Sequence, residues 1–117
     1  MTVAPNAIPP VLSAAELAVL LTEHPDIRLL DVRTPGEFEA VHIPGAYHVP
    51  LDTLGEHGPE LHAGVTQPLV LVCQSGQRAR RAEALLAEAG MPSLHVLDGG
   101  VNGWLADGRP VIGQAGQ

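Results

Sequence analysis

LVLVCQSGQRARRAEALLAEAG, residues 69–90, changes character in its middle. The first four residues are uniformly apolar, which suits a strand covered on both faces better than one with a wet face. From Gln77 onward, Ala79, Ala82, Leu85, Leu86 and Ala89 recur at helical spacing, and Gly90 follows where a helix commonly stops. A buried strand that runs through a short polar turn into a helix is the repeating unit of a parallel sheet with helices on each side. Ligands of such sheets bind beyond the carboxyl ends of the strands. The chain's only cysteine, Cys73, falls at that junction.

The flanking sequence repeats the alternation. Ser13 and Glu16 form a capping-box pattern before the apolar, helically spaced run that ends near Thr22. IRLLDV, residues 27–32, is predicted to be a short buried strand, followed by charge at Arg33. Thr34 is placed as an N-cap with Pro35 at the first helical position, where its missing N–H costs nothing. AYHVP is predicted as a strand, LDTLGEHGPELHAG as a loop with one or two helical turns, SLHVLDGG as a strand and turn, and VNGWLADG as a short helix. Residues 1–10 are expected to be a flexible lead-in, residues 11–112 one domain, and residues 113–117 a flexible tail.

Composition narrows the function. In 117 residues there is room for one core, and with aromatics at 3% that core must be Leu, Val, Ile and Ala. A single cysteine forms no internal disulfide and no thiolate metal cluster, which suits a reduced, cytoplasmic setting. The net charge of −7, with every cation an arginine, argues against a nucleic-acid surface. No apolar run approaches the length of a membrane span, and no signal peptide is evident. His57 and His62, with Glu56 and Glu60 nearby, match no zinc spacing. No metal or cofactor is expected.

A lone cysteine ending an apolar strand is most often a small buried hydrophobe. Three features favour chemistry. QSGQ is a small polar loop that no core requires, Gly76 can take positive φ, and a helix N-terminus follows with its free N–H groups facing back. Amides converging on the sulfur, with the helix dipole behind them, form an anion cradle. Such surroundings lower a thiol pKa from about 8.5 to roughly 3.5–7.5, so Cys73 is expected to be an accessible, ionised nucleophile. Gln74, Ser75, Gly76, Gln77 and Arg78 are the expected substrate-binding loop, with Arg78 steering an anionic donor. Arg80 and Arg81 either assist or are plain solvated charges. The Cys73–Arg78 spacing, C-x4-R, is one residue shorter than the C-x5-R of cysteine-dependent phosphatases, and the tighter cup suits a single added sulfur atom.

LLDVRTPGEFEAVHIPGAYHVPL, VCQSGQRA and LDGGVNGW together resemble the three signatures of the rhodanese family of sulfurtransferases, in order and spacing, over residues 11–111. The resemblance implies a three-layer α/β fold with a central five-stranded parallel sheet and helices on both faces. It implies that Cys73 takes sulfane sulfur from thiosulfate or a related donor as a persulfide and passes it to cyanide or a cellular thiol. Six-residue loops in that family go with sulfur substrates and seven-residue loops with phosphatase or arsenate-reductase activity. Ala79 stands where many relatives carry serine. Asp31 and Arg33 could line the pocket but are expected instead to tie neighbouring loops together by hydrogen bonds in support of the site; Glu37 and His42 are expected to act similarly, His42 as a hydrogen-bonded anchor rather than a proton donor. The rivals within the same fold are a sulfur-relay or partner-binding module with little free turnover and, disfavoured by the short loop, a cysteine-dependent phosphatase or arsenate reductase. A protein sulfur acceptor stays open, as do monomer and homodimer.

Overall fold

The computed structural model describes residues 8–64, 67–75, 77–91 and 93–113, the side chains of His62 and Ala63 excepted. Along the chain lie β1 (Val11–Leu12), α1 (Ala14–Glu23), β2 (Arg28–Asp31), α2 (Pro35–Ala40), β3 (Val41–His42), β4 (Tyr47–His48), α3 (Leu51–Gly64), β5 (Leu69–Val72), α4 (Gln77–Glu88), β6 (Leu94–Leu97), α5 (Gly100–Ala106) and β7 (Ile112–Gly113). Five strands form one parallel sheet in the order β1-β6-β5-β2-β4, with β5 at its centre. β3 and β7 make a separate antiparallel pair. Among the described residues no helix is long and apolar enough to cross a membrane.

The central strand explains the layering. Side chains alternate across a strand, and all four residues of β5 are buried. Val70 and Val72 pack with Leu17, Val101 and Trp104, so α1 and α5 cover one face. Leu69, Leu71 and Cys73 pack with Leu54, Ala79, Ala82 and Leu86, so α3 and α4 cover the other. The expected fold class is therefore the one observed, with an aliphatic core in which Trp104 is the buried aromatic ring.

Both helix starts that were legible as caps are caps. The Ser13 hydroxyl accepts from the Glu16 amide at 3.1 Å while Glu16 accepts from the Ser13 amide at 2.8 Å, an arrangement worth about 1 kcal/mol. Thr34 and Glu37 make the same reciprocal pair at the start of α2, with Pro35 at the first helical position.

Three expectations are corrected. Residues 51–64 are a 14-residue helix, not a loop. Pro59 lies inside α3 and glycines interrupt it, so its local propensity is poor. Packing overrides propensity: Leu54 is fully buried, and Gly58 lets the helix approach α4, since a Cβ there would lie 3.1 Å from the Ala89 methyl. The end of the expected lead-in is held in place, with Ile8 buried, the Pro9 carbonyl against His95 Nδ1 at 2.8 Å, and the Pro10 carbonyl accepting from the Val96 amide at 2.9 Å. Gly113, placed in the tail, pairs with Val41 in β7, while residues 114–117 lie outside the described residues.

Candidate active site

Asp31, Arg33 and Cys73 gather at the carboxyl ends of β2 and β5, the two neighbouring strands at the middle of the sheet. Arg33 is the hub. The residue is 1% exposed, and each guanidinium nitrogen finds a partner. Nε donates to Asp31 Oδ1 at 2.9 Å, and Nη2 donates to Asp31 Oδ2 at 2.7 Å and to the Val41 carbonyl at 2.6 Å. Nη1 donates to Gln74 Oε1 at 3.0 Å. Asp31 and Arg33 thus tie the end of β2 to β3 and to the loop after Cys73.

The first half of that loop is gripped from the other side by α5. The Cys73 carbonyl accepts from the Val101 amide at 2.8 Å and the Gln74 carbonyl from the Asn102 amide at 3.0 Å. The Gln74 side chain donates to Asn102 Oδ1 at 2.6 Å. A trans peptide sets C=O and N–H in opposite directions. Carbonyls 73 and 74 turned toward α5 therefore send the amides of Gln74 and Ser75 the other way. Ser75 and Gln77 are exposed, and the first-turn amides of α4 face back toward the loop. Gly76, the expected positive-φ residue, lies outside the described residues.

The expectation of an accessible thiol is corrected. Cys73 is 0% exposed. It continues the Leu69–Leu71 face of the central strand and sits in the layer formed with Leu30, Val32, Ala79 and Ala82. The strand period that places Cys73 at the end of β5 also turns its side chain under α4.

Arg78 closes the loop, and it is paired. Its Nη1 and Nη2 donate to Glu37 Oε1 and Oε2 at 2.7 and 2.8 Å. This bidentate bond was not foreseen, since Glu37 lies 41 residues away and only its capping role is readable locally. The bond to Arg78 holds the Glu37 carboxyl down at about 2, against the cost of burial and with help from the Thr34 amide and hydroxyl. Arg78 is raised above its ordinary value by the same bond first, opposed by burial, with charge on Glu37, Cys73 and Asp31 adding to the rise. Because the Glu37 pKa is depressed on folding, the stabilisation is present above its unfolded value of about 4.3 and is lost as pH falls toward about 2. Urea midpoints followed down through that window should fall more steeply for the wild type than for Glu37→Gln; equal slopes would refute the assignment.

Phe38 of α2 is stacked between two imidazoles, His42 at 3.8 Å and His48 at 4.4 Å between ring centroids. His42 Nδ1 faces the Phe38 carbonyl at 2.7 Å and His48 Nε2 faces the Arg33 carbonyl at 2.8 Å. His42 is thus an anchor, as expected. His48, from which nothing could be read in the sequence, secures the backbone of Arg33. His57 lies 3.5 Å from Glu60, one turn along α3.

A family model for the rhodanese-like domain matches residues 13–107. The chain belongs to the rhodanese-like domain family. Among curated rhodanese relatives, the thiosulfate sulfurtransferase GlpE of Tolumonas auensis is 32% identical over 89 residues, covering 74% of this chain and 80% of that protein. Thiosulfate sulfurtransferase 16 of Arabidopsis thaliana, a chloroplast protein, is 35% identical over 102 residues, covering 79% and 82%. The solved rhodanese-like domain of an Anabaena sp. protein superposes with a TM-score of 0.81 at 25% identity, over 92% of this chain and 81% of that one.

Proposed function

We propose that this rhodanese-like domain is a sulfurtransferase that carries sulfane sulfur on Cys73. What supports the reading is the carboxyl end of β5. There the loop backbone is turned by α5 so that its amides face away from that helix, next to a cysteine and six residues from Cys73 to Arg78 inclusive. Two relatives named thiosulfate sulfurtransferase add to it.

In the proposed scheme the Cys73 thiolate attacks the outer sulfur of thiosulfate. The new S–S bond forms as the old one breaks, and sulfite leaves with the electron pair. Cyanide or a thiol then attacks the terminal sulfur of the persulfide and the Cys73 thiolate is regenerated. The two half-reactions balance with donor and acceptor alone, and the kinetics are ping-pong. Amides of the loop and of the α4 N-terminus hold negative charge on the sulfur and on the donor.

The sealed Cys73 favours a second reading: a relay module whose loop is opened by a protein partner, with little turnover on small molecules. One experiment addresses the first step. The reduced protein is incubated with thiosulfate and its intact mass measured. A gain of one sulfur atom that Cys73→Ala does not show is the expected result; no gain with any of several sulfur donors would count strongly against the sulfurtransferase reading. The rate of thiocyanate formation from cyanide then separates an enzyme from a relay module.

A further inference from the structure

Glu37 uses one carboxylate for two purposes. Oε1 accepts from the Thr34 amide at 3.0 Å and its hydroxyl at 3.1 Å, which caps α2, and it also takes Arg78 Nη1. Oε2 takes Arg78 Nη2. The two side chains are about one-third exposed, 35% for Arg78 and 32% for Glu37. Arg78 borders a cleft of about 440 Å³ between the starts of α2 and α3 and the first turns of α4. Arg81, one turn along α4, lines the same cleft, and Asp52 faces it from α3.

A bidentate carboxylate takes the two guanidinium donors that a tetrahedral oxyanion would take. An anion that reached Arg78 while Glu37 stayed in place would add its charge beside an existing negative charge. An anion that replaces Glu37 avoids that charge and gains Arg81 as a second cation in the same cleft, where Asp52 is the carboxylate that remains. Glu37 is free to leave in this sense: its partners are Thr34 and Arg78, both near solvent, and its own side chain is partly exposed.

We propose that Glu37 is a built-in competitor for anions at Arg78, so that an oxyanionic ligand binds this cleft by exchange with the Glu37 carboxylate. Glu37 is then a specificity-determining residue. It weakens binding of all anions and admits those whose second oxygen also engages Arg81. That the physiological anion is a sulfur donor rests on the sulfurtransferase reading; the exchange itself does not.

Sulfate carries no sulfane sulfur and so tests the exchange alone. Glutamine at position 37 keeps the reciprocal cap with Thr34, because Gln serves at that position as Glu does, while removing the competing charge. Titration calorimetry with sulfate, at ionic strength balanced by chloride, should give a Kd about three- to tenfold lower for Glu37→Gln than for the wild type. An equal or weaker affinity overturns the proposal. Should the variant fail to fold, the wild type supplies the test: the Arg78 Nε–H resonance should move on sulfate titration as Glu37 is displaced, and a resonance that stays in place overturns the exchange. If sulfate binds Glu37→Gln more tightly while thiosulfate leaves no sulfur on Cys73, the exchange stands and the sulfurtransferase reading falls.

Discussion

Asp31→Ala should destabilise the fold by about 3–5 kcal/mol, because it leaves the Arg33 guanidinium buried without its counter-ion. Both side chains are at most 1% exposed, and Asp31 accepts three of the bonds that satisfy Arg33 Nε, Nη2 and the Arg33 amide. Water cannot replace the carboxylate without entering the layer between the sheet and β3. The size of the effect comes from the unpaired charge rather than from the worth of the pair. Asp31→Ala/Arg33→Met, which removes both charges, should therefore be less destabilised than Asp31→Ala alone, although it leaves the Val41 carbonyl and Gln74 Oε1 without the Arg33 donors. Urea unfolding of the three proteins measures this. A loss below about 1 kcal/mol for Asp31→Ala would mean that Arg33 reaches solvent or another anion with ease. The loss should also appear at the site, since Gln74 is held by Arg33.

What was legible in the sequence is what local physics determines. The strand–loop–helix unit at 69–90 announces itself because four apolar residues, a small polar loop and a helical stripe lie side by side, and α4 runs over Gln77–Glu88 as the stripe requires. Ser13 and Thr34 are caps because a cap needs only its next three residues. Long-range consequences were hidden. The fifth strand of the sheet, Val11–Leu12, has two residues, one of them exposed, and is a strand only because β6 lies beside it. α3 carries glycines and a proline, so its helicity is granted by Leu54 and by close packing on α4 rather than announced by propensity. The burial of Cys73 depends on what covers its face of the sheet. That cover is built by α3 and α4, and the strand itself says only that the residue is at its end. The site was legible as a loop and a cysteine but not as a network. Glu37 to Arg78, Arg33 to Gln74 and Gln74 to Asn102 join residues 28 to 41 apart. No spacing in a single sequence marks those partners.

The network also makes Gly100→Ala the substitution expected to damage the site most without touching a side chain in it. Gly100 opens α5 at φ +57, in the left-handed region, where an alanine costs about 1–2 kcal/mol. Space is the larger constraint. A Cβ at position 100 would collide with the Cys73 carbonyl oxygen and lie 2.7 Å from the carbonyl carbon and oxygen of Gln74. Those atoms are backbone, so no rotamer change relieves the contact, and α5 and the loop must separate. Separation stretches the bonds from the Val101 and Asn102 amides to carbonyls 73 and 74, which set the direction of the loop amides. A displacement of about 1 Å in such a frame can cost about a hundredfold in rate. On the proposed sulfurtransferase reading, Gly100→Ala should thus lower sulfur transfer by about two orders of magnitude while Cys73 itself is intact. Its thiol should also alkylate faster than in the wild type, because the unclamped loop leads directly into α4, which covers the thiol. The two readouts oppose each other: a variant that merely unfolds loses transfer and melts at once, whereas a loosened loop loses transfer, keeps a cooperative melt and gains reactivity. Wild-type rates of both transfer and alkylation in Gly100→Ala would show that α5 does not hold the loop.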